Sequence, residues 1–174
     1  QNPFGGLCGA VCPDWHCMKA CVHERFDSPV NIPAVQATII HKARALGVAP
    51  RFEAAPPNGR KVAVVGAGPA GLSAAIVLGQ KGYRVDVFDR ERGGGGMCKC
   101  IPGHRLPRSL LDGDLGFILG TRLIALRTGA AVADPAALLQ KGYDAVVVAT
   151  GPWGPVRMGS PTEGLPAFAI DYPQ

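Results

Sequence analysis

The sequence predicts an α/β fold, a parallel sheet with covering helices, preceded by a small helical zone rich in cysteine. Three observations predict it. A short apolar run, Lys61 to Val65, leads through Gly66-Ala67-Gly68-Pro69-Ala70-Gly71 into an apolar segment of helical length. A second apolar run, Arg84 to Asp89, follows it, so the three segments form a β-α-β beginning and call for parallel strands with a right-handed crossover. Four of the six cysteines crowd into positions 8 to 21, ahead of all this.

The 174 residues, 47% of them hydrophobic, suit one ordinary domain with a small appendage. The 24 Gly and 16 Pro fall short of a low-complexity composition and carry no triplet period, so they mark loops and tight turns. Clustered rather than distributed cysteines suggest local metal ligation more than a disulfide framework, and hence a reducing, cytoplasmic setting. The net charge of +5 is spread over scattered Lys and Arg with no basic run, which argues against a nucleic-acid partner. Val62 to Gln80 is an uncharged stretch long enough to span a membrane, but Gly66, Gly68, Pro69 and Gly71 would break a spanning helix near its start. No membrane span is expected. No charged segment leads into an apolar run at the N-terminus, so no secretory leader is expected either.

Along the chain, cysteine-rich turns come first. Asn31 can cap a helix with Pro33 in its first turn, Val35, Ile39, Ile40 and Ala43 recur at helical spacing, and Gly47 ends it. With few large apolar residues before position 50, this zone needs a cluster or a docked partner to hold it. Pro50, Pro56, Pro57, Asn58 and Gly59 define a linker over 51–60, which divides the chain into a helical domain at 1–50 and a sheet domain at 61–174. In the second part, Lys61 to Val65 is a strand, Ala70 to Gln80 a helix closed by Gly82, and Arg84 to Asp89 a strand. Asp86 alternates with Val85 and Val87 and is expected on an exposed strand face. Pro107 to Leu119 is a helix weakened by Gly113 and Gly116, Arg122 to Leu126 a strand, and Tyr143 to Ala149 a buried apolar strand ending at Thr150-Gly151.

Gly66, Gly68 and Gly71 have the G-x-G-x-x-G spacing between a strand and a helix. The first allows the tight turn, the second lets backbone approach a pyrophosphate, and the third lets helix and strand pack closely. The phosphates then meet the free N–H groups and the positive end of the helix begun by Pro69 and Ala70. Asp89, 18 residues past Gly71 at the end of the second strand, is placed to accept hydrogen bonds from the adenosine ribose. A vestigial loop that only packs is the competing reading. FAD and NAD(P) share this fingerprint. The basic, Gly-rich stretch from Arg90 through Gly94 and Gly95 to Gly96, and the strand ending in Thr150-Gly151, resemble flavin-binding domains of the two-dinucleotide, disulfide-reductase-like class.

Cys8, Cys12, Cys17 and Cys21 are spaced C-x3-C-x4-C-x3-C. Zinc knuckles favour C-x2-C pairs, whereas iron–sulfur clusters accept wider and irregular gaps. Buried structural thiols are the bland alternative. Cys98 and Cys100 read as ordinary thiols, since one intervening residue would strain a disulfide between them. His16, His23, His41 and His104 form no ligand-spaced pair; His104 is a weak candidate for lining a flavin pocket.

Taken in order, Asn2-Pro3-Phe4, Cys8-Gly9-Ala10-Val11-Cys12-Pro13, Cys17, Cys21 and Pro29-Val30-Asn31-Ile32-Pro33 resemble the iron–sulfur domain of the glutamate synthase small subunit. Dihydropyrimidine dehydrogenase and NADPH-ferredoxin oxidoreductases share that domain. The resemblance continues through Val64 to Leu72, Gly94-Gly95, Ile101-Pro102, Arg105-Leu106-Pro107 and Tyr143-Asp144-Ala145 to Thr150-Gly151, and so covers nearly the whole chain.

This resemblance implies a flavin module with FAD and [4Fe-4S] clusters. It implies cluster ligation by Cys12, Cys17 and Cys21, with Gln36 at the place of a glutamine ligand in the dihydropyrimidine dehydrogenase branch. Cys8 matches a position that is usually not a ligand; it could instead join the other three around one cluster. Gly66, Gly68, Pro69, Ala70, Gly71, Asp89, Arg90, Gly94, Gly95, Arg105, Thr150 and Gly151 are the implied FAD contacts. The family carries a further Cys-rich segment and an NAD(P)H domain, which larger redox partners or a longer chain are expected to supply. The implied activity is electron exchange between NAD(P)H and iron–sulfur clusters through FAD, with no side chain required as acid, base or nucleophile. Two rival readings remain: a structural or assembly subunit that keeps the fold, and a fragment of a longer enzyme.

Overall fold

The computed structural model describes residues 2–12, 16–48 and 53–151. Pro13, the first two linker positions and the part of the sheet domain beyond Gly151 lie outside the described residues.

Four strands form one parallel sheet in the order β3-β2-β1-β4: β1 Lys61–Val65, β2 Arg84–Asp89, β3 Ile124–Thr128 and β4 Ala145–Val148. In register, Val64 pairs with Val87 of β2 and with Val147 of β4, while Val87 pairs with Leu126 of β3. The order changes direction at β1, the switch point where open α/β sheets leave a crevice beyond the carboxyl ends of their strands. The α/β fold class read from the sequence is therefore present.

The helices are α1 Gly5–Val11, α2 His16–Lys19, α3 Ile32–Ala45, α4 Pro69–Gln80, α5 Arg108–Gly120 and α6 Ala137–Gln140. On one face of the sheet, Val64, Val85 and Val87 pack with Leu72, Ala75 and Ile76 of α4 and Leu111 and Ile118 of α5. The other face carries a smaller cluster of Ala63, Val65, Leu138 and Tyr143. Leu72, Ile76 and Ile118 are essentially fully buried, and each contributes about 2 kcal/mol of apolar burial.

Several expectations shift. The cysteine-rich turns are in part helical, because Gly5, Gly6 and Gly9 let α1 lie close to its neighbours: a Cβ at Gly9 would stand 2.7 Å from the Ala37 backbone nitrogen of α3. The third strand begins two residues late, since Arg122 turns with φ 56° before the chain enters the sheet. The fourth begins at Ala145, as Tyr143 is used to cover the sheet instead.

Asp86 overturns its expected exposure. It faces away from Val85 and Val87, but that face is covered, and only 1% of Asp86 is accessible. Its carboxylate accepts from the Tyr143 hydroxyl at 3.0 Å and from Arg127 Nη2 at 2.9 Å, and pairs with Lys61 Nζ at 3.3 Å.

The N-terminal zone leans on the sheet domain rather than standing alone. Phe4 and Leu7 are buried in the same core as Leu72 and Val87. Helix α3, by contrast, has no buried residue. Its start is as the sequence predicts: the Asn31 side chain accepts from the Ala34 N–H at 3.0 Å and Pro33 sits in the first turn. Asn31→Ala should cost about 1 kcal/mol of α3 stability, read as faster amide exchange at Ala34 with no change in the sheet. The 53–60 part of the linker is irregular yet anchored, with the Ala55 N–H donating to Gln80 O and the Asn58 N–H to Gly82 O.

Candidate dinucleotide site

Gly66 leaves β1 with φ 108°, and a Cβ there would stand 2.2 Å from the Ala149 carbonyl oxygen and 3.1 Å from Thr150 Cα. The end of β4 therefore lies directly against the first turn of the loop. Gly71 is tighter still: its Cβ would meet Gly66 O at 1.9 Å. Gly68 differs from both. Its nearest neighbour is Gly96 Cα, 3.9 Å from where a Cβ would be, an ordinary van der Waals contact, so a methyl group there would meet no clash.

Gly68 is the N-cap of α4 and Pro69 its first residue, with Ala70 exposed beside it. No side chain caps this end, and its first turn holds no acid. The helix N–H groups and dipole are thus left for an external anion. Asp89 closes the other side of the loop: Ala67 N–H donates to Asp89 Oδ2 at 2.6 Å and Glu91 N–H to Oδ1 at 2.8 Å. These two bonds fix the carboxylate at the mouth of the loop and leave each oxygen a further lone pair.

The Gly-rich stretch folds back over this cradle. Gly95 has φ 106° and its N–H donates to Ala67 O at 2.8 Å, while Gly94 and Gly95 are buried on Leu115 and Leu111 of α5. This is a held loop, not a slack one. The structure thus gathers Gly66, Gly68, Pro69, Ala70, Gly71, Asp89, Gly94, Gly95 and Thr150 at the carboxyl end of β1, with Gly151 next along the chain at φ 79°. Arg90 is exposed and pairs with Glu91 at 3.6 Å; Arg105 and His104 are exposed on the turn before α5.

The cysteines are less gathered. Cys12 and Cys17 are exposed and Cys21 half-buried. Among the described residues no group of three or more His, Cys, Asp or Glu is drawn into a metal-holding arrangement. Gln36 donates from Nε2 to Gly5 O at 2.9 Å, which leaves its amide oxygen as the atom able to ligate. Cys8 is half-buried and packs against the main core, as does Cys98 from the short 3-10 turn Gly96–Cys100. Burial and the neighbouring thiols of Cys8 and Cys100 push the Cys98 thiol up.

Sequence reasoning missed Asp114. On the apolar face of α5 formed by Leu111, Leu115 and Ile118, Asp114 is 2% accessible; it accepts from the Gly6 and Leu7 N–H groups of α1 at 3.3 and 2.7 Å and pairs with Arg44 of α3. A lone acid on an apolar helical face was the available signal.

Residues 64–122 match the model of the NAD(P)-binding Rossmann-like domain. The chain is 47% identical over 105 residues to the NADP(+)-dependent formate dehydrogenase subunit beta of Moorella thermoacetica, covering 59% of this chain and 15% of that protein. It is 31% identical over 174 residues to the NAD-dependent dihydropyrimidine dehydrogenase subunit PreT of Salmonella typhimurium, covering 97% and 40% respectively. It is 36% identical over 184 residues to the glutamate synthase [NADH] of Schizosaccharomyces pombe, covering 98% and 8%. The chain thus spans well under half the length of each of these relatives. No helix among the described residues is long and apolar enough to cross a membrane. Loop geometry, parallel sheet and similarity along nearly the whole of this chain agree, and the chain is a homologue of part of glutamate synthase [NADH] and of the dihydropyrimidine dehydrogenase subunit PreT.

Proposed function

We propose that this chain is an electron-transfer module in which the glycine loop holds the adenosine diphosphate half of FAD, and Cys12, Cys17 and Cys21 supply part of the ligands of [4Fe-4S] clusters. The observation that carries the first half is the start of α4 at Gly68, which no side chain caps and whose first turn holds no acid, with Asp89 anchored beside it. In this reading Gly66 and Gly71 hold the backbone where its N–H groups meet the pyrophosphate, and Asp89 accepts from the ribose. The Gly94-Gly95 turn, buried on α5, and Thr150-Gly151 flank the rest of the flavin. When bound, FAD would supply the conversion between hydride transfer and single-electron transfer, and these residues would contribute orientation and electrostatics. The NAD(P)H site and the remaining thiolates come from a larger redox partner or from chain beyond the described residues. Gln36 offers its amide oxygen as a further iron ligand.

The test is an absorption spectrum of protein purified without air, with flavin, iron and sulfide assayed on the same sample. Flavin bands with a broad shoulder that bleaches on reduction are expected. A folded but colourless protein, prepared with its natural partner, would sink the proposal. It would favour the second reading, a structural subunit that keeps the fold, for which the supporting observation is that no three His, Cys, Asp or Glu among the described residues are drawn into a metal-holding arrangement.

A further inference from the structure

Helix α5 touches both halves of the molecule. Leu111 and Leu115 lie beneath Gly95 and Gly94, whose turn covers the dinucleotide loop. On the same helical face, Asp114 accepts from the first N–H groups of α1 and pairs with Arg44 of α3. The packing around the pair is close: a Cβ on Gly6 would stand 3.0 Å from Asp114 Oδ1, and one on Gly113 would stand 2.8 Å from Arg44 Cζ. One buried carboxylate therefore binds the N-terminal helices to the helix that supports the glycine turn. The consequence reaches the thiols, because α1 packs Cys8 against the same core cluster as Cys98, two residues past Gly96.

We propose that Asp114 and Arg44 form an internal latch that holds the cysteine-bearing helix α1 in register with the glycine turn over the dinucleotide loop. Asp114 is thus a positioning residue. It touches no cofactor; it fixes where Cys8 and the segment leading to Cys12 stand relative to Gly95 and Cys98. Its significance for electron transfer rests on the flavin and iron reading, but the latch itself does not.

Two measurements on the full chain test it, neither requiring a cofactor. The first is residue-resolved amide exchange. In Asp114→Asn and in Arg44→Gln, the Gly6 and Leu7 amides should exchange about tenfold faster or more, as expected when charge-assisted bonds are lost, while amides of β1 and β2 keep their protection. The second is bridging by dibromobimane, in which two thiolates each displace one bromide to form two C–S bonds. Wild type should give a Cys8–Cys98 bridge, identified by peptide mass and absent in Cys8→Ser. The latch variants should lose the bridge while both thiols still react with a monofunctional reagent. A residue that merely stabilised the fold would leave bridging unchanged below the melting temperature. Gly113→Val, which displaces Arg44 without altering Asp114, should reproduce the loss. Unchanged exchange in both latch variants, or bridging that persists in them, overturns the proposal, as does a wild-type chain that forms no bridge. A protein that stays colourless when prepared with its natural partner, yet shows the expected exchange and bridging, would overturn the flavin and iron reading and support the latch.

Discussion

Replacing Gly71 by Ala is expected to lower stability by roughly 3 kcal/mol or more, whereas Gly68→Ala is expected to leave stability within about 1 kcal/mol of wild type and abolish dinucleotide binding. The two glycines are three residues apart and belong to one loop, but their surroundings differ. A methyl group at Gly71 would lie 1.9 Å from Gly66 O, a contact that only displacement of β1 or α4 could relieve. At Gly68 the backbone is ordinary, φ −74°, and the nearest atom is 3.9 Å away. The methyl would occupy the space where a pyrophosphate must approach the N–H groups. Chemical denaturation and a flavin-retention assay on both variants separate the two roles. If Gly68→Ala retained flavin at wild-type occupancy, the cradle would be placed wrongly.

Asp86→Ala should cost about 2 kcal/mol or more, because it removes a buried acceptor shared by Tyr143, Arg127 and Lys61. The Tyr143 hydroxyl, buried with it, is the group that would be left without a partner. Arg127 and Lys61 are partly exposed and can turn to water, which keeps the loss below that of a wholly buried ion pair. The same site sets an acid dependence. Burial alone would raise the Asp86 carboxyl, but hydrogen bonds from Tyr143, Arg127 and Lys61 outweigh it and hold the group below its ordinary value of 3.8. A carboxyl depressed in the folded state contributes stability that is complete above its unfolded value and is lost as pH falls through the folded one. Wild type should therefore lose this contribution progressively below about pH 4, and Asp86→Asn, already lower at neutral pH, should show a shallower acid limb. Denaturation midpoints at pH 3 and pH 7 check this; parallel acid limbs in the two proteins would contradict it.

The parts legible in sequence were those in which one short segment dictates its own geometry. Lys61 to Val65, the glycine spacing and Asp89 fall within thirty residues, and strand, turn, helix and strand-end acid stand at the positions read from the sequence. Asn31 with Pro33 is similarly local, and the helix begins there. Family membership was legible for the same reason, since ordered short motifs along the chain survive without any knowledge of packing.

What sequence could not supply was the meeting of distant residues. Alternation placed Asp86 opposite Val85 and Val87, but whether that face was wet depended on Tyr143, 57 residues later, folding across it. Asp114 went unnoticed in a segment read only as a helix weakened by Gly113 and Gly116, because its partners are two N–H groups of α1, more than a hundred residues earlier. That Cys8 and Cys98 pack against one core likewise depends on α1 docking on α5. A strand, a cap or a phosphate loop is fixed by dihedral preferences and hydrogen bonds among neighbours, and periodicity records it. The solvation of a charge is fixed by which surfaces close over it, and that is decided only when the whole chain has folded.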